Sequence, residues 1–429
     1  MRKVFLLSLG CSKNTVDSER LMAQAAASGV TFTETPDGAD IILINSCGFI
    51  RDAKEESIAE TLAAIGKKEE GKVHEVYVMG CLPELYGKEL REEMPEVNGF
   101  FGTRELPEVL RAIGASYREE LLDRRMLLTP PHYAFLKIAE GCNRQCSFCS
   151  IPKIRGRYTS QPQEQLMREA LLLQESGVRE LNLIAQDISL YGYDLEGKSL
   201  LNDLVRGLSD MAFRRIRLLY AYPLNFPMEV IDTMQERDNV CDYLDMPLQH
   251  VNDRILRSMN RGVNRTGTER LIEEIRRRNP EIRLRTTMIV GYPGETREEF
   301  RELLQFVEES CFDRLGCFAY CHEEHAPSCR LADDVSQEEK QDRVAELMEL
   351  QEAISQEKNR KFEGREIEVL VDQVEGNLAF GRTEYDAPEV DNECMLETGR
   401  FDLRPGMFCR AMIADSTPYD LEGEVTATG

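Results

Sequence analysis

The sequence predicts an α/β protein of several domains, and three observations lead to this fold class. A chain of 429 residues is long for a single hydrophobic core. Over the first 320 residues, short apolar runs alternate with helical periodicity, which is typical of parallel sheets covered by helices. Residues 365–429 instead carry short alternating runs between Gly, Pro, Asn and Asp, which predicts a small antiparallel β-barrel. The runs behind this last prediction are Ile367–Val371, Leu378–Arg382 and Cys409–Ala414.

The first domain, residues 1–120, repeats one design three times. Each time, a short apolar run ends in a cysteine with glycine beside it, and a helical pattern follows. Because the carboxyl ends of parallel strands meet at one edge of a sheet, we expect Cys11, Cys47 and Cys81 to converge, although about 35 residues separate neighbours in the sequence. Three convergent thiols suggest an iron–sulfur cluster with one open iron. The alternative is a set of unrelated buried cysteines, which are common in proteins.

A charged connector at residues 121–132 leads into the central domain, residues 133–362. About six strand-and-helix units follow one another there, which predicts an open, partial (β/α)6 barrel. A long charged helix, Ser336–Lys361, is expected to pack on this barrel and to lead to the last domain, residues 363–429. Ligands of such barrels bind at the loops that follow the strands. These loops contain the segments Gln186-Asp187, Gln249-His250 and Gly291–Glu295.

The central domain opens with the most specific motif of the chain. Cys142, Cys146 and Cys149 follow a predicted strand at the spacing C-x3-C-x2-C. A four-iron cluster takes one thiolate per iron, so three cysteines can hold it and leave one iron free to bind a small molecule. A structural zinc site needs a fourth ligand, and only His132 lies near in the sequence. Zinc and three unrelated buried cysteines are the alternatives to a cluster.

The charge balance restricts the partners of the protein. The net charge is −24 and the isoelectric point is about 4.8, so strong direct binding of nucleic acid is not expected. Residues 365–429 alone hold 15 Asp and Glu against 5 Arg and no Lys. A basic protein would be attracted to such a surface. The alternative is that the acidity serves only solubility.

Cysteine content and hydropathy indicate a cytoplasmic protein. Thirteen cysteines is a large and odd number, whereas secreted disulfide scaffolds are usually shorter and evenly paired. Metal binding in a reducing compartment explains these cysteines better. No apolar run is long enough to cross a membrane, so we expect no membrane association.

The motif C-x3-C-x2-C with an aromatic residue, Phe148, before its last cysteine resembles that of radical S-adenosylmethionine enzymes. The resemblance implies that Cys142, Cys146 and Cys149 hold a 4Fe–4S cluster whose open iron chelates the amino and carboxylate groups of S-adenosyl-L-methionine. It further implies that an electron from the cluster cleaves this molecule to give a 5′-deoxyadenosyl radical. The cofactor then carries the hard chemistry, while the protein positions and shields it.

Five further residues are candidates for binding S-adenosylmethionine. The resemblance implies that Phe148 packs on the adenine; a loop aromatic that anchors the core is the alternative. Gln186 and Asp187 follow a barrel strand, where they would reach the methionyl end or the ribose, although Asp187 would equally serve as a helix cap. Gly291 and Gly294 would shape the adenine side or simply form a tight turn.

With both cysteine sets placed, nearly the whole chain resembles the methylthiotransferases. These enzymes combine an N-terminal domain holding a second 4Fe–4S cluster, here on Cys11, Cys47 and Cys81, with a radical core and a C-terminal OB-like barrel called TRAM. The branch that modifies adenosine in tRNA usually reads Gly-Cys-Gln-Met-Asn at the first of these cysteines. Three stretches instead resemble the branch that modifies ribosomal protein S12, namely Leu9–Glu19, Asn45–Ile50 and Asp245–His250.

The resemblance implies methylthiolation of the β-carbon of an aspartate in S12, with S-adenosylmethionine as both methyl donor and radical source. It assigns no catalytic side chain. The implied partners are S12, free or on the ribosome, and an electron donor such as flavodoxin or ferredoxin, while the sulfur donor is not identified. The alternatives are a tRNA adenosine methylthiotransferase, a non-catalytic two-cluster electron-transfer protein, and an acidic ribosome-binding factor with structural zinc.

One segment departs from the pattern of the methylthiotransferases. Relatives commonly read Tyr-Ser-x-Glu-Glu where residues 320–324 read Tyr-Cys-His-Glu-Glu. We interpret this segment as a strand end with incidental cysteines, and a third metal site is the alternative. The residues concerned are Cys317, Cys321, His322, His325 and Cys329.

Overall fold

A computed structural model describes residues 2–429. In the first part of the chain, short strands alternate with helices, as the repeated apolar runs predict. The elements are β1 (Lys3–Ser8), α1 (Ser12–Ala26), β2 (Thr31–Thr33), β3 (Ile41–Ser46), α2 (Arg51–Glu69), β4 (Glu75–Gly80), α3 (Cys81–Glu93), β5 (Gly99–Phe101) and α4 (Leu106–Ala112). The strands form one parallel sheet in the order β2-β1-β3-β4-β5. Every residue of β3 is buried, as is typical of a parallel strand covered on both faces.

The second part begins with a strand and a two-stranded antiparallel pair, whose connecting segment carries Cys142, Cys146 and Cys149. Its elements up to the third barrel strand are β6 (Tyr133–Lys137), β7 (Ala139–Glu140), α5 (Ile151–Ile154), β8 (Thr159–Ser160), α6 (Gln163–Glu175), β9 (Glu180–Ile184), α7 (Tyr193–Glu196), α8 (Leu201–Ser209) and β10 (Arg215–Leu218). Strands β7 and β8 pair only with each other and are antiparallel. The sequence patterns did not predict this strand pair, because two-residue strands leave no detectable period.

The barrel continues with three more strand-and-helix units and a long helix. These elements are α9 (Glu229–Glu236), β11 (Val240–Asp245), α10 (Asp253–Ser258), α11 (Arg265–Arg278), β12 (Arg283–Val290), α12 (Arg297–Ser310), β13 (Arg314–Ala319) and α13 (Gln337–Asn359). The six parallel strands lie in chain order, β6-β9-β10-β11-β12-β13, and the sheet does not close. The predicted open (β/α)6 arrangement is therefore confirmed.

The last part of the chain is a closed five-stranded barrel. Its strands are β14 (Glu366–Glu375), β15 (Leu378–Arg382), β16 (Glu393–Glu397), β17 (Phe408–Ser416) and β18 (Asp420–Thr428). They close in the order β14-β15-β16-β18-β17. The prediction of a small β-barrel is confirmed, with the difference that one of its pairs, β16 with β18, is parallel.

The first sheet and its helices lie across the carboxyl-terminal edge of the open barrel. They contact the barrel beside both of its edge strands, β6 and β13. Beside β6, Asp17 of α1 pairs with Arg155 at 2.6 Å. Beyond β13, Lys54 of α2 pairs with Glu323. Residues 3–101 therefore cover the mouth of the barrel, which is the edge where ligands bind in this type of fold.

The closed acidic barrel lies against the opposite end of the open barrel. Arg382 pairs at 2.8 Å with Glu180, the first residue of β9. Arg314, the first residue of β13, pairs at 2.6 Å with Asp386. Ala387 enters the apolar interior of the open barrel from the same side. The C-terminal barrel thus closes the amino-terminal end of the strands and leaves the mouth to the first sheet.

Candidate functional site

The cysteine loop Cys142–Cys149 lies between β7 and α5, and glycine fixes where it starts. Gly141 has a φ of +76°, and a Cβ at this position would collide with the carbonyl oxygen of Arg157. The amide of Cys142 donates to the carbonyl of Gly156 at 3.1 Å. Only glycine fits where the two backbone segments approach so closely. The loop is thereby anchored on the segment that follows it.

A serine anchors the other side of the cysteine loop on the segment after α10. The amide of Ser147 donates to the carbonyl of Met259 at 2.9 Å, and its hydroxyl donates to the carbonyl of Ser258 at 2.7 Å. The same hydroxyl lies 2.8 Å from the hydroxyl of Tyr292. Because the loop is held from two sides, its three thiols are positioned before any ligand arrives.

Two thiols of this loop, Cys142 and Cys149, are largely shielded from water. Burial raises the pKa of Cys142 to about 11 and that of Cys149 to about 12, and thiolates at the neighbouring cysteines would raise them further. The nearest cation to Cys146 is Arg261, whose Nη1 lies 3.4 Å from the sulfur. Thiols of this kind ionise when a bound metal supplies the opposite charge, as iron–sulfur ligation does.

The second trio, Cys11, Cys47 and Cys81, is assembled from three strand ends of the first sheet. Cys11 is the N-cap of α1, Cys47 follows β3, and Cys81 is the first residue of α3. A Cβ at Gly10 would lie 2.8 Å from the Cβ of Cys47, and one at Gly48 would lie 2.9 Å from the carbonyl carbon of Cys81. The three cysteine loops therefore touch, and glycine permits the contact.

Cys81 is the most enclosed thiol of this trio. Burial raises its pKa to about 12, which the nearby guanidinium of Arg155 opposes and thiolates at Cys11 and Cys47 would increase. Nη2 of Arg155 lies 3.5 Å from the sulfur, and Oδ1 of Asn14 lies 3.7 Å from it. All thirteen cysteines lie within residues 2–429 and none is in a disulfide, so both trios are free to bind metal.

The thiol arrangement differs from that of a single-ion site. Within residues 2–429, no three His, Cys, Asp or Glu side chains are gathered closely enough to bind one metal ion. In a four-iron cluster each thiolate binds a different iron, so the sulfurs need not converge on one point. Each trio offers three free thiols with an arginine beside one of them, and this donor set fits such a cluster. The residues between Cys317 and Cys329 form no single-ion group either.

Both trios lie at the covered mouth of the barrel. Lys13, two residues after Cys11, places its ammonium 2.9 Å from the ring centre of Tyr220, which follows β10. Arg155, six residues after Cys149, reaches the sulfur of Cys81. The two trios are thus held at the same edge of the open barrel, one on each side of the contact between the two sheets.

Phe148, Gln186 and Asp187 are found close to the cysteine loop. Phe148 is half-buried and packs against an apolar cluster that includes Met259 and Tyr292. Nε2 of Gln186 donates to Glu140 at 3.1 Å. Asp187 accepts from the amide of Ser189 at 2.9 Å, as a helix cap does, and also pairs at 2.8 Å with Arg144 of the cysteine loop. Burial raises the pKa of Asp187 against the effect of Arg144.

Gly291 and Gly294 form a tight turn after β12. Their φ values are +69° and +77°, and a Cβ at Gly291 would collide with the side chain of Lys340 on α13. The amide of Gly294 donates to Asp334 at 2.6 Å. Backbone geometry and packing on α13 therefore explain both glycines without a ligand.

Polar atoms at the mouth lack partners within the described residues. Oε1 of Gln186, Oε1 of Gln249 and Nε of Arg261 are buried and make no hydrogen bond. Buried polar groups are almost always paired. A polar ligand with donors and an acceptor, such as the ammonium and carboxylate of S-adenosylmethionine, would supply what these atoms lack. The sequence patterns drew no attention to Arg261 or Arg155, since neither stands in a recognisable motif.

Comparison with known proteins covers the whole chain. Three family descriptions match: the radical SAM superfamily at residues 136–307, the uncharacterized protein family UPF0004 at residues 3–102, and the TRAM domain at residues 364–426. A ribosomal protein uS12 methylthiotransferase RimO from Chlorobium limicola is 81% identical over 100% of both chains. The chain belongs to the uS12 methylthiotransferase family. The methylthiotransferases with this name from Pelodictyon phaeoclathratiforme and Chlorobaculum tepidum are 75% and 71% identical, each over 99% of this chain and 98% of its relative.

Solved structures confirm the fold of this methylthiotransferase. The radical S-adenosylmethionine methyltransferase TsrM from Kitasatospora setae covers 76% of this chain and 77% of its own, with a TM-score of 0.56 and 15% identity. The cobalamin-dependent radical enzyme OxsB covers 82% of this chain and 56% of its own, with a TM-score of 0.51 and 12% identity. These likenesses concern the fold alone. No helix within residues 2–429 has the length and apolar character needed to span a bilayer.

Proposed function

We propose that the protein methylthiolates ribosomal protein S12, adding the methylthio group to the β-carbon of an aspartate by radical S-adenosylmethionine chemistry. The observation that carries this proposal is the 81% identity to a uS12 methylthiotransferase over the entire chain. The covered barrel mouth supports it, because a radical reaction needs a site that excludes water and stray hydrogen donors.

The radical family implies one 4Fe–4S cluster and S-adenosylmethionine, and Cys142, Cys146 and Cys149 are the residues that would hold this cluster. When bound, this cofactor pair supplies the oxidising radical. We assign a second 4Fe–4S cluster, whose open iron would carry the sulfur that is transferred, to Cys11, Cys47 and Cys81. The unpaired polar atoms of Gln186 and Gln249 would bind and orient S-adenosylmethionine, with Phe148 packed beside it. Asp187 would not contact the cofactor itself but would hold Arg144 of the cysteine loop in place.

The proposed domains are an N-terminal methylthiotransferase domain at residues 1–120, a linker at 121–132, a radical core at 133–362 and a TRAM barrel at 363–429. S12 would be met free or on the ribosome, and the net charge of −24 favours a basic protein as substrate. We further propose a cytoplasmic location, a flavodoxin-like or ferredoxin-like electron donor, and no strong nucleic-acid binding.

The tRNA adenosine methylthiotransferase is not favoured. The relatives of 66–81% identity carry the uS12 name, and the acidic C-terminal barrel is unsuited to a phosphate backbone. A non-catalytic electron-transfer protein would need neither the covered mouth nor the unpaired polar atoms within it.

Mass spectrometry of S12 tests the proposal. S12 should carry one methylthio group on an aspartate in cells that express the protein and none in cells that lack the gene. Complementation with Cys146→Ala is the matched control and should leave S12 unmodified. An unchanged S12 together with a change in the methylthioadenosine content of tRNA would contradict the proposal in favour of the tRNA enzyme.

A further inference from the structure

A largely buried charged network connects the barrel to the first sheet beside Cys81. Its members from the first sheet are Asn14 and Asp17 of α1, and its members from the barrel are Lys137, Glu140 and Arg155. Lys137 pairs with Glu140 at 2.6 Å and also with Asp17. Arg155 lies immediately after α5 and is only 4% exposed. The network contains two cations and two carboxylates, so its formal charges cancel.

The guanidinium of Arg155 is divided between the two halves of the protein. Nη1 contacts Asp17 at 2.6 Å and Glu140 at 3.5 Å. Nη2 donates to the sulfur of Cys81 at 3.5 Å and to the side chain of Asn14. A planar fork can hold these contacts together, whereas a lysine ammonium is a single point. One side chain of the barrel therefore contacts a thiol of the trio on the first sheet.

We propose that Arg155 is a positioning residue that fixes the second iron–sulfur centre on the barrel and sets its reduction potential through the N–H to Cys81. The inference rests on the proposed function only in taking Cys11, Cys47 and Cys81 as cluster ligands. Hydrogen bonds to cluster sulfurs stabilise the reduced, more negative state and so raise the potential. The arginine fork also holds Asp17 and Glu140, so the same contacts fix the first sheet on the barrel.

Arg261 is the natural comparison for Arg155. Its Nη1 lies 3.4 Å from the sulfur of Cys146 in the first trio, and its Nη2 donates to the carbonyl of Pro247. Each trio thus has one arginine beside one sulfur. Arg261 lies on the barrel together with its trio, whereas Arg155 and Cys81 lie on different sheets. Of these two arginines, Arg155 is therefore the one that connects the barrel to the trio of the other sheet.

The decisive test isolates the second centre and uses no S12. In the full-length protein with Cys142, Cys146 and Cys149 all replaced by Ala, the remaining cluster is reconstituted and its midpoint potential is measured by redox titration with electron paramagnetic resonance. Arg155→Gln should shift the midpoint potential to a more negative value. Arg155→Lys should give a potential between that of Arg155→Gln and that of the protein with Arg155. An unchanged potential in Arg155→Gln with full iron and sulfide content would overturn the proposal.

A second test in the otherwise native enzyme separates positioning from stability. Arg155→Gln should keep 5′-deoxyadenosine formation within about twofold and reduce methylthio transfer by about 100-fold, the cost of a misplaced reacting group. Arg261→Gln should reduce 5′-deoxyadenosine formation itself. The control for a lost buried ion pair is Arg314→Gln, which removes the contact with Asp386 at 2.6 Å, remote from both trios.

The outcomes of these tests are distinct. Loss of iron from the second centre alone in Arg155→Gln supports the proposal. A parallel loss of 5′-deoxyadenosine formation and methylthio transfer in Arg155→Gln, matched by Arg314→Gln, contradicts it. If the wild-type enzyme performs no methylthio transfer to S12, the proposed function fails, while the comparison of midpoint potentials still decides the role of Arg155.

Discussion

The two cysteine trios differ in how the chain brings their thiols together. Cys142, Cys146 and Cys149 lie within one loop, and a single glycine with a few backbone contacts fixes that loop. Cys11 and Cys81 are 70 positions apart in the sequence and meet only because the parallel sheet is formed. A local trio depends on its loop, whereas a dispersed trio depends on the cooperative stability of its whole domain.

This difference indicates what each site needs from the rest of the protein. The loop trio is anchored on the barrel that carries it, through the backbone of Gly156 and Met259. The dispersed trio needs the first sheet to form and also to dock, because the cation beside Cys81 comes from the barrel. We therefore expect disturbances of docking to affect the dispersed trio first.

Removing one ligand from each trio should have the largest effect. Cys146→Ala should abolish both 5′-deoxyadenosine formation and methylthio transfer, whereas Cys81→Ala should abolish transfer alone, since the radical centre keeps its ligands. Each lost activity should fall by about 1,000-fold or more, as when one member of a catalytic unit is removed. Chromatography of 5′-deoxyadenosine and mass spectrometry of S12 measure the two activities.

Cys311→Ala is the control for this pair, because Cys311 is exposed and lies outside both trios. It should leave both activities unchanged. Methylthio transfer that survives in Cys81→Ala would show that the trios do not have separate roles.

Replacing the glycines that support the trios should have the next largest effect. Gly141→Ala forces a residue with a side chain to φ +76° against the carbonyl of Arg157, and Gly10→Ala, at φ +91°, places a Cβ 2.8 Å from that of Cys47. The left-handed backbone alone costs about 1–2 kcal/mol, and the clash adds to it. Iron analysis should show loss at the loop trio in Gly141→Ala and at the dispersed trio in Gly10→Ala.

Gly177→Ala supplies the matched control for these two variants. Gly177 also has a positive φ, +103°, but no heavy atom lies within 4 Å of the position of its Cβ. Gly177→Ala should lower the temperature of thermal unfolding, because of its backbone conformation alone, and should keep the iron of both clusters. Equal loss of iron in all three variants would mean that strain alone, and not the contact at each trio, governs the sites.

The same contrast explains what the sequence could predict. The loop trio could be interpreted from spacing alone, and the convergence of Cys11, Cys47 and Cys81 followed from their places after apolar runs. Arg155 and Arg261 could not be found, because a buried arginine beside a sulfur is defined by tertiary contacts and leaves no local pattern. The residues that precede them, Ile154 and Asn260, belong to no recognisable motif either.

The small barrel shows the other limit of the sequence patterns. Its strands β14, β15 and β17 were predicted from their apolar alternation, whereas β16 and β18 were not. Glu393 and Glu397 flank the three central residues of β16, and β18 alternates buried residues with acidic ones at its start. Acidic side chains facing solvent obscured the period of two on which strand prediction relies.

Protonation of Asp17 should weaken the docking of the first sheet in acid. Burial alone would raise its pKa, but Lys137 and Arg155 outweigh burial and lower it from 3.8 to about 2. The folded pKa lies below the unfolded one, so the stabilisation is complete above about pH 4 and is lost as the pH falls through 2. At neutral pH it amounts to about 2 kcal/mol. Urea unfolding of the wild type and Asp17→Asn should differ at pH 7 and converge near pH 2.

The smallest effect is expected at the far side of the mouth, where Lys54 of α2 pairs with Glu323 beyond β13. The side chains of Lys54 and Glu323 are 18% and 9% exposed, so their pair is screened less than a fully exposed one. Lys54→Ala should therefore lower the free energy of unfolding by about 1 kcal/mol. Since this contact holds the dispersed trio over the barrel, methylthio transfer should fall by a few-fold while 5′-deoxyadenosine formation stays constant. Lys72→Ala, which removes an exposed pair with Glu70, is the control and should change neither quantity. If Lys54→Ala lowered both activities equally, the docking of the first sheet would serve the radical centre as much as its own trio, and the distinction between a local and a dispersed site would lose its functional meaning.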